Sequence, residues 1–239
     1  MKKVVLVIGA SSSIGIPLVF RLLSDGFHVI GQFRTSSEQL TRLSLEFPDA
    51  LKLFQLDFDS KDVVEKMMGL LALCQENLFA VVHLPSFPLS IKPLHKTDIE
   101  EIYQHLDLQM KSLHYVFAGL HKKIVRSKDF RIVGVNSMIT GMAVPPKGLG
   151  PYSIAKAAAA SYLDCLEAEY QERNVNVNQI LPGIFRSPLL ENLPEFIVEA
   201  LVDGKDRVLR PDADLVPLIQ YLLSTAGANV RGQKISVGL

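Results

Sequence analysis

A tyrosine and a lysine one helical turn apart are the residues of this chain best suited to proton chemistry. They lie in the segment PYSIAKAAAASYLDCLEAEY, residues 151–170, whose early proline and run of alanines predict a helix. Tyr152 and Lys156 are then at i and i+4 and project from one face. A phenol has a pKa of about 10, and an adjacent ammonium can lower it toward neutral pH. A surface tyrosine packed over a lysine stem is the alternative interpretation.

The turn GASSSIG, residues 9–15, is a candidate phosphate-binding site. It follows the apolar run KVVLVI and precedes a segment of helical period. Small residues let backbone N–H groups approach a phosphate, and the helix N-terminus adds the positive end of its dipole. The glycines are separated by five residues, so the turn does not match the GxGxxG fingerprint. A serine-rich helix cap after a strand is the alternative.

Seven short apolar runs must position these residues. They cover residues 3–8, 27–33, 51–56, 79–84, 130–136, 175–181 and 234–238, and stretches of helical period separate them. The alternation predicts an α/β fold: a single Rossmann-like, doubly wound domain over residues 1–239, with a seven-stranded parallel sheet flanked by helices on both faces. No repeat or linker divides the chain.

Two segments interrupt this alternation. Residues 141–151 are too rich in glycine and proline for regular structure, and residues 185–211 form a long, partly helical excursion that we expect to act as a substrate loop or lid over 184–210. Both leave the carboxyl ends of strands, where ligands bind in open α/β sheets. Their apolar residues predict an apolar cavity: Met138, Ile139, Met142, Val144, Leu149, Phe185, Leu189, Leu190 and Phe196.

The order of these motifs resembles the classical short-chain dehydrogenase/reductase (SDR) family over nearly the whole chain. The similarity rests on the glycine turn, Asp57 after the third strand, Ser137 at the end of the fifth strand, YSIAK at 152–156, and the segments LPGIFRSP (181–188) and GQKISVGL (232–239). One such motif would arise by chance, whereas this set in this order would not.

The resemblance implies the site residues and an NAD(P)(H)-dependent oxidoreductase. Tyr152 would be the general acid, Ser137 would hold the same substrate oxygen, and Lys156 would bind the nicotinamide ribose and lower the pKa of Tyr152. Gln109 occupies the position of an asparagine whose backbone carbonyl holds a water in the proton relay. The implied cofactor contacts are Gly9, Ser11, Ser12, Ser13, Ile14, Gly15, Asp57, Phe58, Leu84, Tyr152, Lys156, Pro182, Gly183, Phe185 and Ser187.

The residues after the second strand indicate which dinucleotide is used. The segment GQFRTS, residues 31–36, has no acidic residue to accept ribose hydroxyls. A 2′-phosphate needs a guanidinium and hydroxyl donors, which Arg34 and Thr35 supply. We therefore expect NADP(H) rather than NAD(H). The alternative is that Arg34 is a solvated surface charge.

The chain departs from the family pattern at four places. Ser13 replaces the middle glycine of the turn, residues 83–86 (His-Leu-Pro-Ser) replace an Asn-Asn-Ala-Gly run, Gln109 replaces asparagine, and the loop before Tyr152 is about two residues longer. A serine at 13 can cap the helix but takes up room near the phosphates, so we expect weaker cofactor binding rather than its loss.

The histidines are expected to be structural. His83 closes an apolar strand, which favours a buried structural residue over an additional acid or base. His105, His114 and His121 lack metal-ligand spacing and are expected on a helix surface or interface. Lys147 would be solvated or would meet an anionic substrate.

Composition excludes several function classes. Lys plus Arg equals Asp plus Glu at 25 each, which disfavours nucleic acid or a membrane surface as a partner. Two cysteines without CxxC spacing predict no metal site and a reducing, cytoplasmic location. No apolar stretch approaches the ~20 residues of a membrane span.

The sequence as a whole favours NADPH-dependent reduction of a small ketone, or the reverse alcohol oxidation. A nucleotide-bound scaffold or regulatory protein without turnover is the first alternative, and dehydration or epimerisation on the same fold is the second. The resemblance also implies a homodimer or homotetramer assembled through two long helices, at about 98–126 and 152–173.

Overall fold

All seven apolar runs form strands of one parallel sheet. The computed structural model describes residues 2–74, 77–202 and 208–238. The strands are β1 Val4–Ile8, β2 His28–Phe33, β3 Leu51–Gln55, β4 Leu78–His83, β5 Phe130–Val135, β6 Val175–Pro182 and β7 Lys234–Val237. Their order is β3-β2-β1-β4-β5-β6-β7, and every neighbouring pair is parallel. The predicted doubly wound α/β fold is confirmed.

Helices cover both faces of the sheet. They are α1 Gly15–Ser24, α2 Glu38–Glu46, α3 Val63–Leu73, α4 Ile99–Ile124, α5 Gly150–Glu169, α6 Glu195–Val202 and α7 Val216–Leu223. Side chains of a strand alternate between faces, so Val5 and Val7 pack with α1, α2 and α7, whereas Leu6 and Ile8 pack with α3, α4 and α5. Both faces are therefore buried, which explains why the strands are apolar throughout.

The strand order places a crevice between β1 and β4. Chain connections run outward in opposite directions from this pair, so the loops that follow the two strands diverge at their carboxyl ends. The glycine turn follows β1, and residues 84–86 follow β4. Residues far apart in the sequence thus meet at one edge of the sheet.

Three loops enclose the same edge. The backbone N–H of Lys92 donates to the Gly148 carbonyl at 3.1 Å, and that of Leu89 donates to the Leu189 carbonyl at 2.6 Å. The glycine- and proline-rich loop is shorter than expected, because a 3-10 turn occupies Met138–Gly141 and α5 already begins at Gly150. The expected excursion contains a 3-10 turn, Pro188–Leu190, and α6; its residues 203–207 lie outside the described part of the chain.

Helix α5 is held against β5 by a glycine and a leucine. Leu163 is 1% exposed within the cluster under α3, α4 and α5. A Cβ at Gly134 would lie 2.3 Å from Leu163 Cδ1, so the glycine allows this side chain to approach the strand. This contact sets how far α5, the helix that carries Tyr152 and Lys156, lies from the sheet.

We predict that Leu163→Ala lowers the free energy of unfolding by about 2–5 kcal/mol, because it leaves a cavity beneath α5. Leu45→Ala is the matched control: this α2 side chain is 77% exposed, and its truncation should change stability by less than about 0.5 kcal/mol. Urea denaturation followed by circular dichroism measures both. Equal effects of the two substitutions would contradict the packing described.

Candidate active site

Ser137, Tyr152 and Lys156 meet at the wall of one cavity. Ser137 follows the end of β5 and is 8% exposed, while Tyr152 and Lys156 lie on successive turns of α5. The Ser137 hydroxyl oxygen accepts a hydrogen bond from the backbone N–H of Ile139 at 3.4 Å, and the hydroxyl lies near enough to the Tyr152 phenol to lower its pKa. The cavity that they line has a volume of about 780 Å³. A hydroxyl and a phenol therefore face the same enclosed space, as two groups that share one substrate oxygen would.

Burial sets the protonation of the two residues on α5. It raises the pKa of Tyr152, and the Ser137 hydroxyl lowers it in part. It also lowers the pKa of Lys156 to about 8, because the ammonium loses water. The expectation that Lys156 lowers the tyrosine pKa is not met here: Lys156 Nζ lies 6.0 Å from the centre of the tyrosine ring. At neutral pH the phenol is protonated and can donate.

The Lys156 ammonium instead binds backbone carbonyls at the ends of two strands. It donates to the Pro85 carbonyl at 3.2 Å, after β4, and to the Val135 carbonyl at 3.4 Å, at the end of β5. The Pro85 carbonyl also accepts from Gln109 Nε2 at 2.7 Å. One oxygen thus joins α4 and α5 to the loop after β4.

Gln109 reaches the site with its side chain rather than its backbone. Its carbonyl accepts from the Ser112 hydroxyl at 3.2 Å, and α4 continues through this position as one helix. The family resemblance implied a role for this backbone carbonyl; in addition, the side-chain amide of Gln109 lies toward the site, where its Nε2 reaches the Pro85 carbonyl. Gln109 Oε1 is buried and has no hydrogen-bond partner among the described residues.

His83 is a structural residue, as expected. It is 2% exposed, and its Nε2 lies 2.7 Å from the Ser112 hydroxyl, which in turn donates to the Leu108 carbonyl at 2.5 Å. These partners identify Nε2 as the protonated ring nitrogen. Burial, together with the charge of Lys156, lowers the pKa of His83 to about 3. The His83 imidazole, paired with the Ser112 hydroxyl, thus braces β4 against α4.

The glycine turn is built so that its two glycines cannot be replaced. Gly9 has φ +85°, and a Cβ on Gly15 would lie 2.4 Å from the Gly9 carbonyl oxygen. The Ser12 hydroxyl accepts from the N–H of Gly15, the first residue of α1, at 3.0 Å, whereas the sequence had suggested that Ser13 can cap this helix.

Gln32 supports the turn and was missed by sequence reasoning. Its Oε1 accepts from the Gly9 N–H at 3.0 Å, and its Nε2 donates to the Leu56 carbonyl at 2.6 Å. The side chain is 3% exposed. The only signal in the sequence is a glutamine inside the apolar run FHVIGQF.

A second cavity, of about 210 Å³, runs along the turn and fits one half of a dinucleotide. It offers the backbone of the turn for phosphate, Asp57 and Phe58 for a base, and Arg34 with Thr35 at an exposed rim. The Arg34 guanidinium lies 5.5 Å from the centre of the Phe87 ring. The residues lining this cavity include Gly9, Ser11, Ser12, Ser13, Ile14, Gln32, Arg34, Thr35, Leu56, Asp57, Phe58, Leu84, Pro85 and Ser86.

The two cavities are continuous through residues that line both. These shared residues are Ile14, Leu84, Ser86, Phe185, Ser187 and Leu189. Pro182 and Gly183 line the larger one, and a Cβ on Gly183 would lie 2.5 Å from the Gly238 carbonyl. A molecule bound along the turn could therefore extend to the phenol of Tyr152.

The walls of the larger cavity are mostly those expected. Met138, Ile139, Met142, Leu149, Phe185, Leu189 and Leu190 line it, as does Lys147. Val144 and Phe196 were expected there, but they are 80% and 71% exposed. Their segments leave the cavity edge, and both side chains face solvent.

Of the three histidines on α4, one is buried and two are exposed. His105 is 7% exposed, so it does not lie on the helix surface, which was one of the two places expected for it. His114 and His121 are exposed on α4, where they contact Tyr162 of α5 and Tyr170 immediately after α5. Within the described ranges no group of three His, Cys, Asp or Glu side chains could hold a metal, and no helix is long and apolar enough to cross a membrane.

Known proteins resemble this chain in sequence. A family model described as short chain dehydrogenase matches residues 3–197. The chain is 27% identical over 181 residues to the NADP-dependent 3-hydroxy acid dehydrogenase YdfG of Shigella flexneri, with 76% of this chain and 72% of that protein covered.

Solved structures share the fold. A short-chain type dehydrogenase/reductase from Mycobacterium marinum superposes with a TM-score of 0.84 at 21% identity, over 98% of this chain and 93% of that one. A 3-ketoacyl-(acyl-carrier-protein) reductase from Brucella melitensis, complexed with NADH, superposes with a TM-score of 0.82 at 21% identity, over 98% of this chain and 96% of that one.

We predict that His83 makes the fold less stable in acid. Its folded pKa of about 3 lies below its ordinary value of 6.5, so the unfolded chain binds the proton first. The contribution of His83 to the free energy of unfolding is fully present above pH 6.5. It falls by about 1.4 kcal/mol for each pH unit as the pH drops from 6.5 toward 3. Denaturant unfolding at several pH values measures this slope. His83→Gln should reduce it, whereas His95→Gln, in an exposed turn, should not; equal slopes in all three proteins would contradict the prediction.

Proposed function

The chain belongs to the short chain dehydrogenase family, and from this membership we propose that it reduces a ketone with NADPH. The observation that carries the proposal is the meeting of Ser137, Tyr152 and Lys156 on a cavity continuous with the cleft along the glycine turn. A scaffold without turnover would have no physical need for a buried phenol and hydroxyl facing one enclosed space.

The proposed reaction uses the residues in distinct roles. The nicotinamide cofactor, when bound, supplies the hydride that reduces the carbonyl carbon. Tyr152 donates its phenolic proton to the carbonyl oxygen, and the Ser137 hydroxyl donates a hydrogen bond to the same oxygen while negative charge develops on it. The apolar walls exclude water, which strengthens both interactions.

The protonation of Tyr152 suits the role of general acid in the proposed reduction. A general acid must carry its proton at the working pH, and burial raises the pKa of Tyr152. Oxidation of an alcohol would require the phenolate, which this environment disfavours. Lys156, with a pKa lowered to about 8, keeps its charge below that pH and can hold hydroxyl groups of a ribose.

Preference for NADPH is supported by charge at the end of β2. Arg34 and Thr35 lie exposed at the rim of the smaller cavity, and no acidic residue occurs in residues 31–36. The relative from Shigella flexneri is named as NADP-dependent, whereas the Brucella melitensis structure contains NADH. The guanidinium and hydroxyl of Arg34 and Thr35 support the phosphorylated cofactor in this proposal. We further propose a cytoplasmic homodimer or homotetramer.

We predict that Tyr152→Phe lowers kcat for ketone reduction by at least about 100-fold while leaving NADPH affinity nearly unchanged, because only the proton donor is lost. A panel of ketones followed by NADPH absorbance measures kcat, and fluorescence titration measures binding. Tyr115→Phe, on α4 away from the cavities, is the control. Unchanged turnover in Tyr152→Phe would refute the mechanism; NADPH binding without turnover by the wild type on any ketone would favour the scaffold.

We predict that Arg34→Ala weakens NADPH binding by about 10- to 100-fold, as expected for loss of a charge-assisted hydrogen bond worth about 1.5–3 kcal/mol. NADH binding should change little, because NADH lacks the 2′-phosphate. Arg42→Ala is the matched control, because Arg42 is an exposed arginine on α2 that does not line either cavity. Equal NADPH affinity in wild type and Arg34→Ala, measured by calorimetry, would overturn the cofactor assignment.

A further inference from the structure

The arginine at the rim of the smaller cavity has an aromatic partner from a distant loop. Arg34 follows β2, whereas Phe87 lies in the loop after β4, and the Arg34 guanidinium carbon is 5.5 Å from the centre of the Phe87 ring. A guanidinium within about 6 Å of a ring centre is attracted to the negative face of the ring. The contact therefore joins the loops that follow two strands of the sheet.

The Phe87 ring is held in place because the chain is anchored on both sides of it. Two residues earlier, the Pro85 carbonyl accepts hydrogen bonds from side chains of α4 and α5. Two residues later, the Leu89 N–H donates to the Leu189 carbonyl at 2.6 Å. The next residue, Pro88, also restricts the Phe87 backbone to extended conformations. The position of the ring is thus set by the fold and not by Arg34.

Helix α4 supports the ring through a buried histidine. The ring centres of His105 and Phe87 are 5.6 Å apart, and the two planes are tilted by 57°. Burial lowers the pKa of His105 below its ordinary value of 6.5, so the imidazole is neutral at neutral pH. It adds no positive charge beside the ring that would repel the Arg34 guanidinium.

The Arg34 side chain has few other restraints. Its backbone is fixed, because its carbonyl accepts from Gln55 Nε2 at 3.1 Å. The side chain itself is exposed, and within the described ranges no carboxylate forms an ion pair with it. A free arginine side chain samples many rotamers and loses that freedom when it binds a ligand. In the described part of the chain, the Phe87 ring is the contact that limits where the guanidinium lies.

An aromatic partner leaves the arginine able to bind an anion. A carboxylate would neutralise the positive charge and occupy N–H donors, whereas a ring attracts the guanidinium without taking its conventional hydrogen bonds. Arg34 lines the smaller cavity, while Phe87 lines neither cavity. The ring therefore holds the guanidinium from outside the space that a ligand would occupy.

We propose that Phe87 is a positioning residue for cofactor choice: its ring holds the Arg34 guanidinium at the cavity rim, where it can bind the 2′-phosphate of NADPH. The inference rests on the proposed preference for NADPH. A side chain that is held in advance has already lost part of the conformational entropy that binding would otherwise cost. Because the ring acts through Arg34, its effect requires both the arginine and a phosphate for the arginine to bind.

A double-mutant cycle on cofactor affinity tests this coupling. Phe87→Leu should weaken NADPH binding by about two- to fivefold, as expected for loss of an exposed cation–π contact, and should leave NADH binding unchanged. In an Arg34→Ala background the same substitution should weaken NADPH binding no further. Phe87→Tyr keeps the ring and should retain the affinity of the wild type. Calorimetric titration of the whole chain with each cofactor gives these dissociation constants without turnover.

Phe20→Leu is the matched control, because Phe20 is a 46% exposed side chain on α1 that lines neither cavity; it should bind NADPH as the wild type does. The NADH affinity of Phe87→Leu reports whether the loop is still folded correctly. An equal loss of NADPH and NADH affinity in Phe87→Leu would overturn the inference, since it indicates altered loop packing.

The outcomes separate the inference from the proposed function. The same loss of NADPH affinity from Phe87→Leu with and without Arg34 would overturn the inference alone. Unchanged NADPH binding in Arg34→Ala would overturn the cofactor assignment and the inference together. If the cycle shows the predicted coupling but the wild type reduces no ketone, the inference stands and only the proposed reaction is overturned.

Discussion

The carbonyl oxygen of Pro85 is the acceptor on which the active site is assembled. It accepts hydrogen bonds from Lys156 Nζ at 3.2 Å and from Gln109 Nε2 at 2.7 Å. The loop after β4, helix α4 and helix α5 therefore meet at one atom. A buried ammonium needs oxygen acceptors to offset its lost hydration. This requirement fixes Lys156, and with it the turn of α5 that presents Tyr152 to the cavity.

Desolvation at this junction determines which groups carry protons. The same burial lowers the pKa of Lys156 and His83 and raises that of Tyr152, so two bases tend toward neutrality and the phenol keeps its proton. The three shifts share a cause but differ in consequence. The phenol becomes a donor suited to reduction, the lysine remains charged below about pH 8, and His83 serves only to brace β4.

The departures from the family pattern are balanced by other contacts of this chain. The His83 imidazole pairs with the Ser112 hydroxyl and so joins β4 to α4. This contact stands where the resemblance led us to expect the side-chain amides of an Asn-Asn-Ala-Gly run. The Gln32 amide holds the Gly9 N–H, and the Ser12 hydroxyl accepts from the first N–H of α1, so the turn is well defined although Ser13 stands where a glycine is usual. Substitutions that looked like losses in the sequence are therefore accommodated in the structure.

The sequence by itself determined the architecture and the identity of the central residues. Apolar runs of strand length fix a parallel sheet buried on both faces, and the spacing of Tyr152 and Lys156 fixes a shared helix face; both follow from local periodicity. The predicted strand bounds agree with those of the structure to within one residue at each end.

Only the tertiary structure decided which polar side chains are buried and what they touch. The burial of His105, the exposure of Val144 and Phe196, the support of the turn by Gln32, and the direction of Lys156 toward backbone carbonyls rather than the phenol all depend on elements distant in the chain. A local pattern records the period of a helix or strand. It does not record which neighbour will remove a side chain from water, and that removal sets the pKa values and the hydrogen bonds from which the chemistry follows.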